Sequence, residues 1–187
     1  KLIFYVLYSI FYLALLLTYS RSSYLAYLVG IFIIAWKKKA PRFFVFILTI
    51  FLLTLFLLPR PSSEGVKLER RASVVARVSN WQQVLAVIKN SPFFGVGFNF
   101  YRYVQRDYRF LDENWQTSHS DAGADSSLLF VWATTGIIGL IAYLRLLWKM
   151  VKTQPAAILA LIAHSFFNHS LFYPWTMVWI WLLLGIQ

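Results

Sequence analysis

A series of long apolar runs, parted by short basic turns and one polar section, constrains this chain more than any other feature. Leu2 to Ser20, Ser22 to Trp36, Phe43 to Leu58 and Ser126 to Leu147 are each close to the length that crosses a bilayer as a helix. Ala156 to Phe167 and Trp175 to Ile186 are shorter runs of the same kind, broken around Asn168-His169-Ser170-Leu171-Phe172-Tyr173-Pro174. The first two runs joined would far exceed one bilayer crossing, so the chain is expected to turn at Tyr19-Ser20-Arg21-Ser22-Ser23. Only 13% of the residues are charged, about half the share of an ordinary soluble domain, and 59% are hydrophobic.

The fold expected is all-α: a polytopic transmembrane helix bundle with a large, partly helical extracytoplasmic loop. Residues 1–58 read as three spans with an outer turn at Arg21, residues 59–125 as the extracytoplasmic loop, and residues 126–187 as three C-terminal spans. The chain opens on Lys1 inside an apolar run and shows no small-residue cleavage site, so it does not read as a signal peptide. It reads instead as an N-terminally truncated piece of a longer protein with further spans before it.

A net charge of +11 invites a nucleic-acid reading, but the distribution of charge opposes it. All 7 acidic residues lie between Arg60 and Asp125, where nine of the 18 basic residues nearly balance them. The other basic residues sit mostly at the ends of apolar runs, which is a topology signal. Lys37, Lys38, Lys39 and Arg42 fall on one side, and Lys149 and Lys152 return to it after two crossings. That side is expected to be cytoplasmic, which turns Arg21, the polar section and the Asn168 turn outward. Cysteine is absent, so there is no disulfide framework.

Within the polar section, Ser73 to Lys89 carries Val74, Val75, Val78, Trp81, Val84, Leu85 and Ile88 at helical spacing, and Asn90-Ser91-Pro92 stops it. Phe93 to Phe100 follows as an aromatic turn punctuated by Gly95 and Gly97. Those glycines are too close for a dinucleotide fingerprint and precede no lysine-serine pair, so a tight turn that permits close packing accounts for them.

Arg21 between two spans reads either as an interfacial arginine reaching the headgroups or as an anion ligand. Arg77, four residues before Trp81, reads either as a headgroup contact or as a phosphate ligand, since a guanidinium fork matches phosphate oxygens. His119 is the histidine of the polar section and could serve as a general base or stand in solvent. His119, Asp121 and Asp125 permit a weak metal reading, with no second histidine or cysteine near to strengthen it. His164 and His169 are expected to satisfy each other or a turn carbonyl. The spans hold no Asp or Glu, which weakens a proton-coupled transporter reading.

Three segments resemble the O-antigen ligase family, which also holds O-antigen polymerases and some protein O-oligosaccharyltransferases. They are Tyr19-Ser20-Arg21 opening a span with Leu28-Val29-Gly30 inside; "ARVSNWQQVLAVIKNSPFFGVGFNFY"; and "SSLLFVWATTGIIGLIAYL" with Gly136 and Gly139. The resemblance extends in order over residues 10 to 187. It implies a bacterial inner-membrane enzyme that moves a glycan from an undecaprenyl pyrophosphate carrier to an acceptor hydroxyl at the outer face. The acceptor would be lipid A–core, a second lipid-linked glycan or a protein. By position, Arg21 and Arg77 match the family arginines that engage the pyrophosphate. No metal, nucleotide or other cofactor is implied, because the donor is already activated, and the partners are lipid-linked glycan, acceptor and membrane lipid, not nucleic acid. Where the family pattern places His-Asn, this chain has Asp125-Ser126: an extra loop turn brings His119 in as the base, or Asp125 takes the role, or this member is altered in activity. The alternative reading is a non-enzymatic polytopic protein, such as a transporter or a protein that binds the lipid carrier.

Overall fold

The computed structural model describes residues 2–59, 71–111, 114–116 and 123–185. The described residues form α-helices and one short 3₁₀ turn, with no strand among them. In chain order they are α1 Leu2–Leu17, α2 Arg21–Lys37, α3 Pro41–Leu57, α4 Ala72–Asn90, α5 Tyr101–Asp107, α6 Ser127–Thr153, α7 Pro155–Ser165 and α8 Pro174–Gly185, with the 3₁₀ turn at Ser170–Phe172. α6, at 27 residues, is long and apolar enough to cross a membrane, while α1, α3, α7 and α8 are shorter apolar helices.

The chain turns where expected between the first two runs. Tyr19 takes a left-handed φ of 49°, which ends α1 and redirects the backbone. Ser20 then caps α2, its Oγ accepting the Ser23 amide at 3.3 Å. Pro41 and Pro155 stand in the first turns of α3 and α7, where a missing N–H leaves no broken bond. α6 runs beyond Leu147 through Lys149 and Lys152, because lysine is a good helix former and does not break the helix.

α2 and α7 pack antiparallel. Gly30 faces Ala160 and the backbone of Ala156, and the Ser23 hydroxyl lies 3.4 Å from His164 Nε2. Small residues let such backbones approach closely. The pairing brings Arg21, Ser23 and His164 to one end of the bundle, and Lys37 and Pro155 to the other. α1, α2 and α3 share an aromatic seam: Tyr24 stands edge-on to Phe51 at 5.5 Å, and its hydroxyl donates to the Leu16 carbonyl at 2.6 Å. The outward faces stay apolar, with Phe4, Phe56 and Trp175 more than three quarters exposed.

α6 is not continuous. Gly136 adopts φ 68° and ψ −173°, which breaks the helical hydrogen-bond ladder. The Phe93–Phe100 turn fills the break. Val96 N–H donates to Ala133 O at 2.9 Å, Gly97 N–H to Thr134 O at 2.8 Å, and Ile137 N–H to Pro92 O at 2.9 Å. Trp132 Nε1 adds a bond to Pro92 O at 3.3 Å. A β-carbon on Gly95 would stand 2.4 Å from the Thr134 carbonyl carbon, and one on Gly136 would stand 2.0 Å from Phe93 O. The glycines therefore serve close packing, as the sequence suggests, and the partner of Gly95 is the break in α6. Every backbone group freed by a kink must find a partner, and here a second segment supplies it.

Candidate functional site

The end of the bundle that carries Arg21 gathers polar side chains from α2, α4, the start of α6 and the turn after α7. Arg21 opens α2, and its Nη2 donates to Ser73 Oγ in the first turn of α4 at 2.7 Å. Four residues on, Arg77 projects from the same face of α4. The two arginines line one cavity of about 400 Å³, with Ser22, Trp81 and Phe167. Leu25, Val74 and Val78 make the rest of its wall apolar. In such a setting a guanidinium acts on an anion more strongly than it does in open water. The structure thus brings together the two arginines that the sequence singles out.

The rim is built by a side-chain network that nothing local in the sequence announces. Asn168 donates through Nδ2 to Ser22 Oγ at 2.7 Å, and its carbonyl accepts from Ser127 Oγ at 3.1 Å. Ser127 Oγ in turn accepts the Leu171 amide at 3.2 Å. One asparagine and one serine thus tie the α7–α8 turn to the starts of α2 and α6. Trp81 lies against Phe167 with ring centroids 6.2 Å apart, which joins α4 to the same turn. His164 lies 3.4 Å from Asn168 Nδ2 and close enough to Arg77 to interact electrostatically.

Asp125 lies where the chain enters α6. Its amide donates to Asn80 Oδ1 at 2.8 Å, and Asn80 Nδ2 donates to the Gly123 carbonyl at 3.2 Å. Asn80 is buried and sits three residues after Arg77, on the neighbouring stretch of the same helix face. Asp125 is therefore held beside the segment of α4 that carries Arg77. His119 and Asp121 lie outside the described residues. Ser126 occupies the cap position of α6 but makes no side-chain capping bond. It is Ser127, one residue later, whose hydroxyl is engaged. The backbone carbonyl of Ser126 accepts the Phe130 amide at 3.0 Å, so the helix starts there without the hydroxyl.

The His169 ring packs between Phe130, 4.4 Å away and edge-on, and Phe172, 4.9 Å away and stacked. Burial pushes its pKa below the ordinary histidine value, and the nearby Ala124 backbone opposes that shift in part.

A family model described as O-Antigen ligase matches residues 4–144, well over half of the chain. No curated protein and no solved structure matches it.

Proposed function

Since the chain belongs to the O-antigen ligase family, whose members transfer glycans in bacterial membranes, we propose that it moves a polyprenyl-pyrophosphate-linked glycan to an acceptor hydroxyl at the outer face of the inner membrane. The observation that carries this reading is the convergence of Arg21 and Arg77 on one cavity; the backbone of Asp125 is tied to Asn80, three residues along α4 from Arg77.

The chemistry follows from those groups. The acceptor oxygen attacks the anomeric carbon of the donor, and the bond from that carbon to the pyrophosphate oxygen breaks. Negative charge grows on the leaving polyprenyl pyrophosphate, and two preorganised guanidiniums stabilise it as it develops. The acceptor's proton passes to His119 or to Asp125 as general base. The donor already carries its leaving group, so the reading needs neither metal nor nucleotide.

The exposed apolar faces of α1, α3 and α8 support a multi-pass arrangement, because lipid is the solvent that tolerates them. Lys37 and Pro155 share one end of the bundle, so the basic α2–α3 corner and the lysines that precede α7 lie together, as a cytoplasmic side requires. The site is at the opposite end. In this reading residues 59–125 are the extracytoplasmic loop, between three spans on either side.

The surface-glycan profile of a strain lacking the protein tests the reading. Loss of all capped glycan assigns a ligase and single-repeat products assign a polymerase. An unchanged profile contradicts glycan transfer.

A further inference from the structure

α5 and the short segment after it build a second polar cavity, of about 510 Å³, lined by Asn99, Arg102, Tyr103, Arg106, Trp115 and Gln116. Among the described residues, it shares none with the cavity of Arg21 and Arg77. Arg102 and Arg106 are four apart and so project from one face of the helix. Both guanidiniums gather at one indole, 5.7 and 5.4 Å from the Trp115 ring centroid. Tyr103 meets the same indole edge-on at 5.6 Å, and Arg106 also lies 5.9 Å from the Tyr103 ring. Arg102 further donates to the Trp115 backbone carbonyl.

Two guanidiniums repel each other, and the ring faces that hold them together offset this. Asp107 pairs with Arg106 at 2.6 Å in a solvent-exposed contact, which a bound anion could displace. Among the described residues, the lining has no acidic side chain. Side-chain amides from Asn99 and Gln116 add donors and acceptors of the kind that read sugar hydroxyls. The aromatic rings offer an apolar surface to the carbon face of a pyranose.

We propose that this cavity binds an anionic sugar unit, one bearing a carboxylate or phosphate, of the glycan that the enzyme handles. This rests on the reading of the chain as a glycan transferase. The other face of α5 explains how such a unit would be kept in register with the reaction. Tyr101 is buried edge-on against Phe130 of α6 at 5.4 Å, and Gln105 is fully buried beside it. The helix is thus anchored on the span that Asp125 precedes, while its arginines face the second cavity. Along the chain, Gln116 stands three residues before His119.

The test is a binding titration of the full-length protein in nanodiscs of neutral lipid. The probes are tetragalacturonate, which carries carboxylates, and maltotetraose, which does not. The acidic probe is expected to bind at least about tenfold more tightly than the neutral one. Arg106→Gln and Trp115→Ala are each expected to weaken it about tenfold or more, with Arg106→Lys recovering part of the loss. Arg21→Ala and Arg77→Ala should leave it unchanged. Equal binding of the two probes, no binding of either, or wild-type binding by Arg106→Gln overturns the proposal. So does loss of sugar binding when an anionic phospholipid replaces the neutral lipid, since the cavity would then be a headgroup site. These outcomes are separate from glycan transfer by the Arg21 and Arg77 variants, on which the functional reading stands or falls.

Discussion

The side-chain amide of Asn80 holds the backbone of Asp125, accepting its N–H at 2.8 Å while donating to the Gly123 carbonyl at 3.2 Å. One buried group on α4, three residues along from Arg77, thus fixes the peptide that leads into α6. Asn80→Ala removes both bonds at a cost of about 1–3 kcal/mol for each group left unsatisfied. Asn80→Asp keeps the acceptor for Asp125 and loses the donor to Gly123. The alanine variant is expected to lose transfer rate about tenfold or more, with the aspartate between it and wild type. Initial rates on a lipid-linked glycan check the order.

The proton acceptor can be assigned by comparing two variants. If His119 takes the proton, His119→Ala lowers kcat by about 10²–10⁴-fold while Asp125→Asn costs far less. The reverse order gives the role to Asp125. The pH–rate profile separates them again, because a histidine base titrates near pH 6.5 and a carboxylate near pH 4 unless its surroundings shift it.

The glycine pair at the break in α6 makes a stability prediction. Gly95 and Gly136 both take φ near 68°, and a β-carbon on either would overlap the other segment's backbone. Alanine at either position is expected to destabilise by at least about 1–2 kcal/mol from the backbone conformation alone, and by more from the overlap. Gly123→Ala is the control, because a β-carbon there meets nothing within 4 Å. Thermal melting in detergent should show both losses and a neutral control.

His169 predicts an acid-side loss of stability. Burial lowers its folded pKa from the ordinary 6.5, so the unfolded chain takes up the proton more readily. The resulting stabilisation is full above that value and is lost as pH falls through the folded pKa below it. Melting temperature should therefore fall below about pH 6.5, with a shallower slope in His169→Gln. Equal slopes would show that His169 contributes nothing to the acid side.

Much of this architecture is legible in the sequence. Apolar runs bounded by proline, serine or basic clusters mark α1, α2, α3, α7 and α8 to within a few residues and α6 more loosely, because a helix that is apolar all round leaves a continuous signal. The stripe from Val74 to Ile88 marks α4. α5 is not marked: seven residues with only Tyr101 and Gln105 buried show no clear period. The break at Gly136 is hidden because glycine inside an apolar run looks like an ordinary packing residue, and its strained φ comes from a turn some forty residues earlier. Arg77 stands out as a charge among apolar neighbours, and Arg21 as the charge in a serine-rich break between two apolar runs. Asn80 and Asn168 do not, since an asparagine that bridges two distant segments has the same local signature as one in solvent. His169 likewise meets Phe130 only through the fold.

The central claim is that Arg21 and Arg77 act together on a diphosphate leaving group. The most direct measurement is transfer from a purified polyprenyl-pyrophosphate glycan by Arg21→Ala, Arg77→Ala and the double variant, each checked for membrane insertion. Each single variant should lose about 10²–10³-fold in kcat. The double variant should fall well short of the product of the two losses, because the arginines share one anion. Wild-type transfer by both single variants would contradict the account.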